Sequence, residues 1–256
     1  MITIATWNVN SIRARIEHLL TWLATTSPDV VGIQETKVQD PDFPQAELAA
    51  LGYQVLFSGQ KSYNGVALLS KEPATLLATE LPDFVDPQRR VLAATVAGIT
   101  VVNLYVPNGS SVGSEKFTYK LAWLDAFGDW LESLLTNHQQ LVLVGDFNIA
   151  PDDRDVHDPD AWRGKILCSI DERQRLQRLL DLGLSDVFRR FDQPAQAFSW
   201  WDYRAGSLRR NEGLRIDLIL ASEAIAARCE ACAIDVGPRR WEKPSDHAPV
   251  LARLRA

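Results

Sequence analysis

The segment LVLVGDFN, residues 141–148, decides the fold. Leu141 to Val144 run apolar without the polar alternation of a strand that has one face in water, so they read as a strand buried on both faces. The run ends abruptly at Gly145-Asp146-Phe147-Asn148, where a carboxylate and an amide follow the apolar residues. Six other short apolar, β-branched runs lie along the chain: Ile2 to Trp7, Val30 to Gln34, Gly65 to Leu69, Val91 to Val106, Ile216 to Leu220 and Pro249 to Leu254. The fourth, broken at Ala97-Gly98, reads as a hairpin. Amphipathic stretches alternate with the runs. Ser169 to Leu182 has a Ser169-x-x-Glu172 capping box, leucines at 176, 179 and 180 and a stop at Gly183, and so predicts a helix. Arg13 to Thr25 and Glu115 to Thr136 also predict helices. The expected class is mixed α/β, with sheets covered by helices.

Bulk properties bound the rest. A chain of 256 residues that is 46% hydrophobic can bury one sizeable core. No repeat, low-complexity tract or Pro/Gly/Ser-rich linker divides it, so one domain over residues 1–256 is expected. No apolar run approaches the roughly 18 residues needed to span a bilayer, and MITIATWNVN lacks the features of a signal peptide. The expectation is a cytoplasmic protein without membrane contact, and a monomer, since no oligomer seam is visible. Cys168, Cys229 and Cys232 are too few, and odd in number, for a disulfide framework. The Cys229-x-x-Cys232 pair lies in AIAARCEACAI, which offers neither further zinc ligands nor the helix N-terminus that favours a redox pair. A net charge of −6 gives no global pull toward nucleic acid, so any DNA binding must come from local basic clusters. Such clusters occur at Arg89-Arg90, at Arg204, Arg209, Arg210 and Arg215, and at Arg239, Arg240 and Lys243. A solvated surface is the bland alternative for them.

Polar residues interrupt the apolar strands at their ends, where a buried carboxylate or amide is costly unless it has work to do. They are Asn8 and Asn10 in TWNVN, Glu35 in VVGIQET, Tyr105 in VNLYVPNG, Asp146 and Asn148 in LVLVGDFN, Asp217 in LRIDLIL and Asp246-His247 in PSDHAP. Any one of them suits a turn, and Pro107-Asn108-Gly109 is itself a turn sequence. Together they form a set rich in carboxylates and amides, with one histidine and no cysteine, which suits Mg²⁺ or Mn²⁺ better than zinc. Neighbouring side chains on a strand face opposite ways, so Asp246 cannot readily serve His247. Asp217 is the natural partner for His247, fixing its tautomer, and Asp246 is left to support the metal.

WNVN, the Glu of IQET, the Tyr of YVPNG, GDFN, FSWWDYR, GLRIDLILAS and KPSDHAP stand in the order and approximate spacing of the exonuclease III family of abasic-site endonucleases. The resemblance runs from Ile4 to about Leu254. GDFN with SDHAP marks the wider endonuclease/exonuclease/phosphatase superfamily, and FSWWDYR and LRIDLILAS narrow it. It implies a four-layer α/β sandwich, two mixed β-sheets packed face to face with helices outside. It also implies a Mg²⁺-dependent DNA repair nuclease that cuts 5′ to abasic sites, with 3′–5′ exonuclease and 3′-phosphatase activity on double-stranded DNA with abasic sites or blocked 3′ ends. Carried over residue by residue, Glu35 resembles the principal metal ligand, with Asn8, Asp146, Asn148, Asp246 and His247 around the ion. Asp146 resembles the group that activates water, Asn148 a transition-state stabiliser and Tyr105 a contact to the scissile phosphate. His247, paired with Asp217, is either the base or a phosphate ligand. Asn10, Tyr63, Asn64, Arg89, Arg90 and Asn108 resemble DNA-contacting positions.

Substrate choice falls to other residues. By the resemblance, Trp200 and Leu214 line a pocket for a base-free sugar swung out of the helix, an extrusion that costs least when no base is stacked. Trp201 reads as core. The loop WRGKILCS, Trp162 to Ser169, sits where access to that pocket is controlled, and Leu167 is bulkier than the glycine of some relatives. It is expected to tilt the enzyme toward 3′-end processing. Two other classes stay open: a superfamily phosphoesterase on a non-DNA substrate, and a catalytically dead binding module, against which the full set of carboxylates speaks.

Overall fold

A computed structural model describes residues 1–256. Fourteen strands form in chain order. The first eight are β1 (Ile2–Asn8), β2 (Val30–Gln34), β3 (Gln54–Ser58), β4 (Val66–Ser70), β5 (Ala74–Ala78), β6 (Val91–Val96), β7 (Ile99–Tyr105) and β8 (Leu141–Asp146). Then follow β9 (Leu184–Asp186), β10 (Trp200–Trp201), β11 (Gly213–Leu214), β12 (Asp217–Ser222), β13 (Cys229–Ile234) and β14 (Val250–Leu254). They assemble as two six-stranded sheets, ordered β13-β14-β1-β2-β4-β3 and β5-β6-β7-β8-β12-β9, and a β10-β11 ribbon. Each large sheet is antiparallel except for one central parallel pair, β1/β2 and β7/β8.

The side-chain alternation of the central strands builds the layers. Val142 and Val144 of β8 meet Ile4, Val30, Val66 and Leu68 across the gap between the sheets. Their neighbours Leu141 and Leu143 face outward instead, onto Trp123, Phe127 and Leu131 of the helix Glu115–Asn137 and Leu176 and Leu179 of the helix Ile170–Asp181. On the opposite side, Ala5, Trp7, Val31 and Ile33 pack against Leu19, Trp22 and Leu23 of the helix Ile16–Thr26. The order helix, sheet, sheet, helix is the expected sandwich. It explains why these strands lack polar alternation: each fully buried Val, Leu or Ile contributes about 1.5–3 kcal/mol, and both faces collect it. The helix at 170–181 keeps its capping box, Ser169 accepting from the Glu172 N–H while the Glu172 carboxylate accepts from the Ser169 N–H.

Two close approaches fix how the sheets meet. A Cβ on Gly32 would sit 2.6 Å from Val144 and 2.8 Å from the Asn103 amide oxygen. The space admits Asn103 of β7, whose Nδ2 donates to the carbonyls of Ile33 and Ala67 in the other sheet and whose Oδ1 accepts from Gln34. At Gly145 the backbone has φ +150° and a Cβ would lie 2.0 Å from the Leu104 carbonyl, so only glycine lets β8 run this close to β7 before Asp146.

Candidate active site

The C-terminal ends of the two parallel pairs lie together, which is where open α/β sheets gather ligand-binding groups. β1 ends at Asn8 and Glu35 follows β2, while β7 ends at Tyr105 and β8 at Asp146. Because β12 runs antiparallel to β8, its first residue, Asp217, pairs in register with Asp146. Because β14 runs antiparallel to β1, the segment ahead of it brings Asp246 and His247 to the same end. Strand directions alone therefore gather seven dispersed polar residues.

Inside this site every group has a partner. His247 Nδ1 lies 2.9 and 3.1 Å from the two Asp217 oxygens, the pairing the sequence suggested, and Nε2 points to Asp146 at 3.8 Å. Asp217 also stands at the end of the backbone N–H pair of Ile216 and Asp217 that the Ser199 hydroxyl accepts. Asn8 Nδ2 donates to Glu35 and to Asp146, both at 2.9 Å, so it spans the two sheets. Asp146 also accepts the Asn148 N–H at 2.9 Å. The Asn148 side chain is held by the Val106 carbonyl and by Asn108 Nδ2. Glu35, Asn148 and Asn10 all take left-handed φ values, +52°, +50° and +46°, a strain that folds store where side chains must be aimed.

Burial and charge set the protonation states. Burial pushes the Asp146 carboxyl up to about 7, against the pull of His247. For His247, burial acts to lower the value, but Asp217, Asp146 and Asp246 together outweigh it and push it up to about 10. Burial, with the nearby Glu35 and Asp146 charges, keeps the Tyr105 hydroxyl protonated well above its usual range. Asp246 goes the other way: burial would raise it, but the His247 charge and hydrogen bonds from Trp200 and Asn10 hold it below the usual carboxylate value.

Three of the six expected metal ligands, Glu35, Asp146 and His247, place ligand atoms within 4.8 Å of one another. Two carboxylates and an imidazole are a donor set that fits a hard divalent ion. The other three are engaged differently. Asn8 turns its NH₂ to the carboxylates and its oxygen to the Asn10 N–H. Asn148 is held by Asn108 and Val106, and Asp246 accepts from Asn10 at 2.9 Å and Trp200 at 3.0 Å. Lys37, whose ammonium lies 2.8 Å from Glu35 Oε2 and also reaches Asn10, is a cation at this site that the sequence analysis did not single out.

The family model described as "Endonuclease/Exonuclease/phosphatase family" matches residues 5–247. The chain belongs to the endonuclease/exonuclease/phosphatase family. Within this family it is 39% identical to exodeoxyribonuclease III of Haemophilus influenzae, over 97% of this chain and 98% of that protein. An AP endonuclease from Archaeoglobus fulgidus superposes with a TM-score of 0.96 at 40% identity, covering all of both chains. A 3′ phosphatase from Neisseria, solved with a product DNA hairpin, superposes with a TM-score of 0.95 at 44% identity, again over both whole chains. The chain is a nuclease of the exodeoxyribonuclease III type, and its cluster of Glu35, Asp146 and His247 could hold a metal ion.

Around this family's catalytic site the structure sorts the remaining candidates. Tyr63 is exposed, and Arg89 is half-exposed with Glu80 3.7 Å away. Arg90 is buried: its guanidinium lies 4.6 Å over the Tyr105 ring and donates to Gln88 and to the Tyr105 carbonyl. It braces Tyr105 from the wall of a cavity that Tyr63, Asn64 and Asn108 also line. Asn64 is also buried, its amide turned to Gln60 and Gln88. Trp200 pairs with Leu214 across the β10-β11 ribbon. Trp200 is half-buried and Leu214 fully covered, in a cluster with Ala150, Val156, Leu167, Cys168 and Ile216. Trp201 is core. Arg215, expected in a surface basic cluster, is buried between Asp155 and Asp186.

Proposed function

We propose that this nuclease hydrolyses the phosphodiester 5′ to abasic sites in double-stranded DNA and removes nucleotides or phosphate from blocked 3′ ends, with Mg²⁺, or Mn²⁺ in its place. The observation that carries the reading is the convergence of Glu35, Asp146 and His247 at one end of both sheets, inside a chain that matches abasic-site and 3′-end enzymes over its full length. Glu35 and Asp146, with His247 beside them and Asp246 and Asn8 behind, would hold the ion. When bound, it neutralises charge on the phosphate oxygens and eases departure of the leaving alkoxide.

The protein's own groups divide the remaining work. Asp146, buried at the end of β8 with His247 Nε2 3.8 Å away, is suited to take a proton from the attacking water. His247, raised to about 10 and clamped by Asp217, is better suited to donate to a non-bridging oxygen than to act as the base. The Tyr105 hydroxyl and the N–H of Asn148 left free by Val106 supply further donors. Asn10, Tyr63, Asn64, Arg89 and Asn108 lie on the path of the duplex, with Arg90 holding Tyr105. The protein acts as a cytoplasmic monomer; no helix is long and apolar enough to cross a membrane.

A second reading, that 3′-end processing dominates, rests on Leu167. This residue holds φ +71°, a conformation glycine takes freely and leucine does not, and it is buried beside Leu214. The test of the main reading is cleavage of a labelled duplex carrying one abasic-site analogue, with Mg²⁺ and with EDTA, beside a duplex ending in a 3′-phosphate. Magnesium-dependent incision 5′ to the analogue is the expected result. Dephosphorylation alone would leave the second reading, and no reaction on either duplex would overturn both.

A further inference from the structure

Lys120 stands in the apolar stripe of the helix Glu115–Asn137, among Phe117, Trp123, Leu124 and Phe127, and is fully buried. An aliphatic residue there would extend the stripe, and a buried ammonium is costly unless each of its three donors is used. All three are used. Lys120 Nζ donates to the Glu172 carboxylate, to the Asn148 carbonyl at 2.7 Å and to the Asn108 carbonyl at 3.2 Å. Glu172 is equally buried and spends its other lone pairs on the N–H groups of Leu167 and Ser169, each at 3.0 Å, and on the Ser169 hydroxyl at 2.6 Å.

One ion pair therefore fastens the segments after β7 and after β8, the Trp162–Ser169 loop and a helix cap. Two of its acceptors are the backbone carbonyls of Asn108 and Asn148, the residues whose side chains pair at 3.0 Å beside Asp146. Asn148 keeps a left-handed backbone there, and the grip on its carbonyl opposes relaxation of that strain.

We propose that Lys120 and Glu172 form a positioning pair that aims the Asn148 amide at the reacting phosphate. The inference rests on the proposed phosphate-facing role of Asn148. It is tested by a mutant cycle of Lys120→Met and Asn148→Ala, with steady-state turnover of a 3′-phosphate duplex in Mg²⁺ and melting temperature measured for each variant. Lys120→Met is expected to lower kcat about 10- to 100-fold with KM little changed, as misplacement of a catalytic group does. In the Asn148→Ala background the same change is expected to cost under about 3-fold, because the residue it serves is already gone. An equal loss in both backgrounds would reduce the pair to general stability and overturn the proposal. Wild-type turnover by Asn148→Ala alone would instead overturn the role of Asn148 on which it stands. Should Lys120→Met fail to fold, Glu172→Gln, which keeps shape and removes charge, takes its place in the same cycle with the same two outcomes.

Discussion

The floor and the rim of the site are built by different means. The floor residues Asn8, Asp146, Asn148, Asp217 and His247 are buried at or just beyond strand ends, and each is hydrogen-bonded to a residue of another strand or of the segment beyond one. Asn8 alone bridges Glu35 on one sheet to Asp146 on the other. The rim comes from connecting segments: Tyr63 before β4, Arg89 before β6, the Trp162–Ser169 loop and the arginine-rich turn at 204–210. Its exposed charges make local pairs such as Arg210 with Glu212 and Arg163 with Asp160, which solvent and salt screen. The sheets thus fix the floor, while the rim belongs to segments that tolerate change and to which the proposed function assigns the choice of substrate.

That contrast orders the expected effects. The largest is Asp146→Asn, which should cost about 10²- to 10⁴-fold in kcat on abasic and 3′-phosphate duplexes alike; a variant crippled on one duplex only would break the division. Next comes Asp217→Asn, expected to lower turnover about 10- to 100-fold because His247 loses the acceptor that fixes its ring. It also carries a stability signature. The raised value of His247 means that its pairing stabilises the fold fully below its ordinary 6.5 and is lost as pH rises through about 10. In EDTA, the drop in melting temperature caused by Asp217→Asn should therefore be largest at pH 6 and shrink toward pH 10. A drop that grows with pH would contradict the assignment. Leu167→Gly should shift the ratio of internal incision to 3′-end removal toward incision by several-fold, leaving the metal dependence unchanged. Smallest is Arg89→Ala, expected to weaken DNA binding modestly at low salt and reduce the slope of log affinity against log salt by about one; an unchanged slope would take Arg89 off the DNA path.

The floor was legible in the sequence because its signal is local. A polar residue at the end of a run that is apolar on both faces stands out, and Asp217, interrupting such a run, was the natural carboxylate partner for His247, as the 2.9 Å contact shows. The same rule located β1, β2, β4, β6, β7, β8, β12 and β14. It missed β3, β5, β9 and β13, the four edge strands, whose exposed residues dilute the apolar pattern, and the two-residue strands β10 and β11. Cys229 and Cys232 lie on β13 as free thiols, raised in pKa mainly by burial. Charge was harder to place. Arg215 looked like part of a surface cluster because its partners, Asp155 and Asp186, are 60 and 29 residues away. Lys120 did leave a trace: a lysine three residues after Phe117 and three before Trp123 sits on the buried face of its helix, and that break in the stripe could have been read.

The most direct test of the division is to measure turnover on the abasic duplex and the 3′-phosphate duplex, side by side, for wild type, Asp217→Asn and Leu167→Gly. The account predicts that Asp217→Asn lowers both activities by the same factor and that Leu167→Gly changes their ratio. A ratio shifted by Asp217→Asn, or untouched by Leu167→Gly, would contradict it.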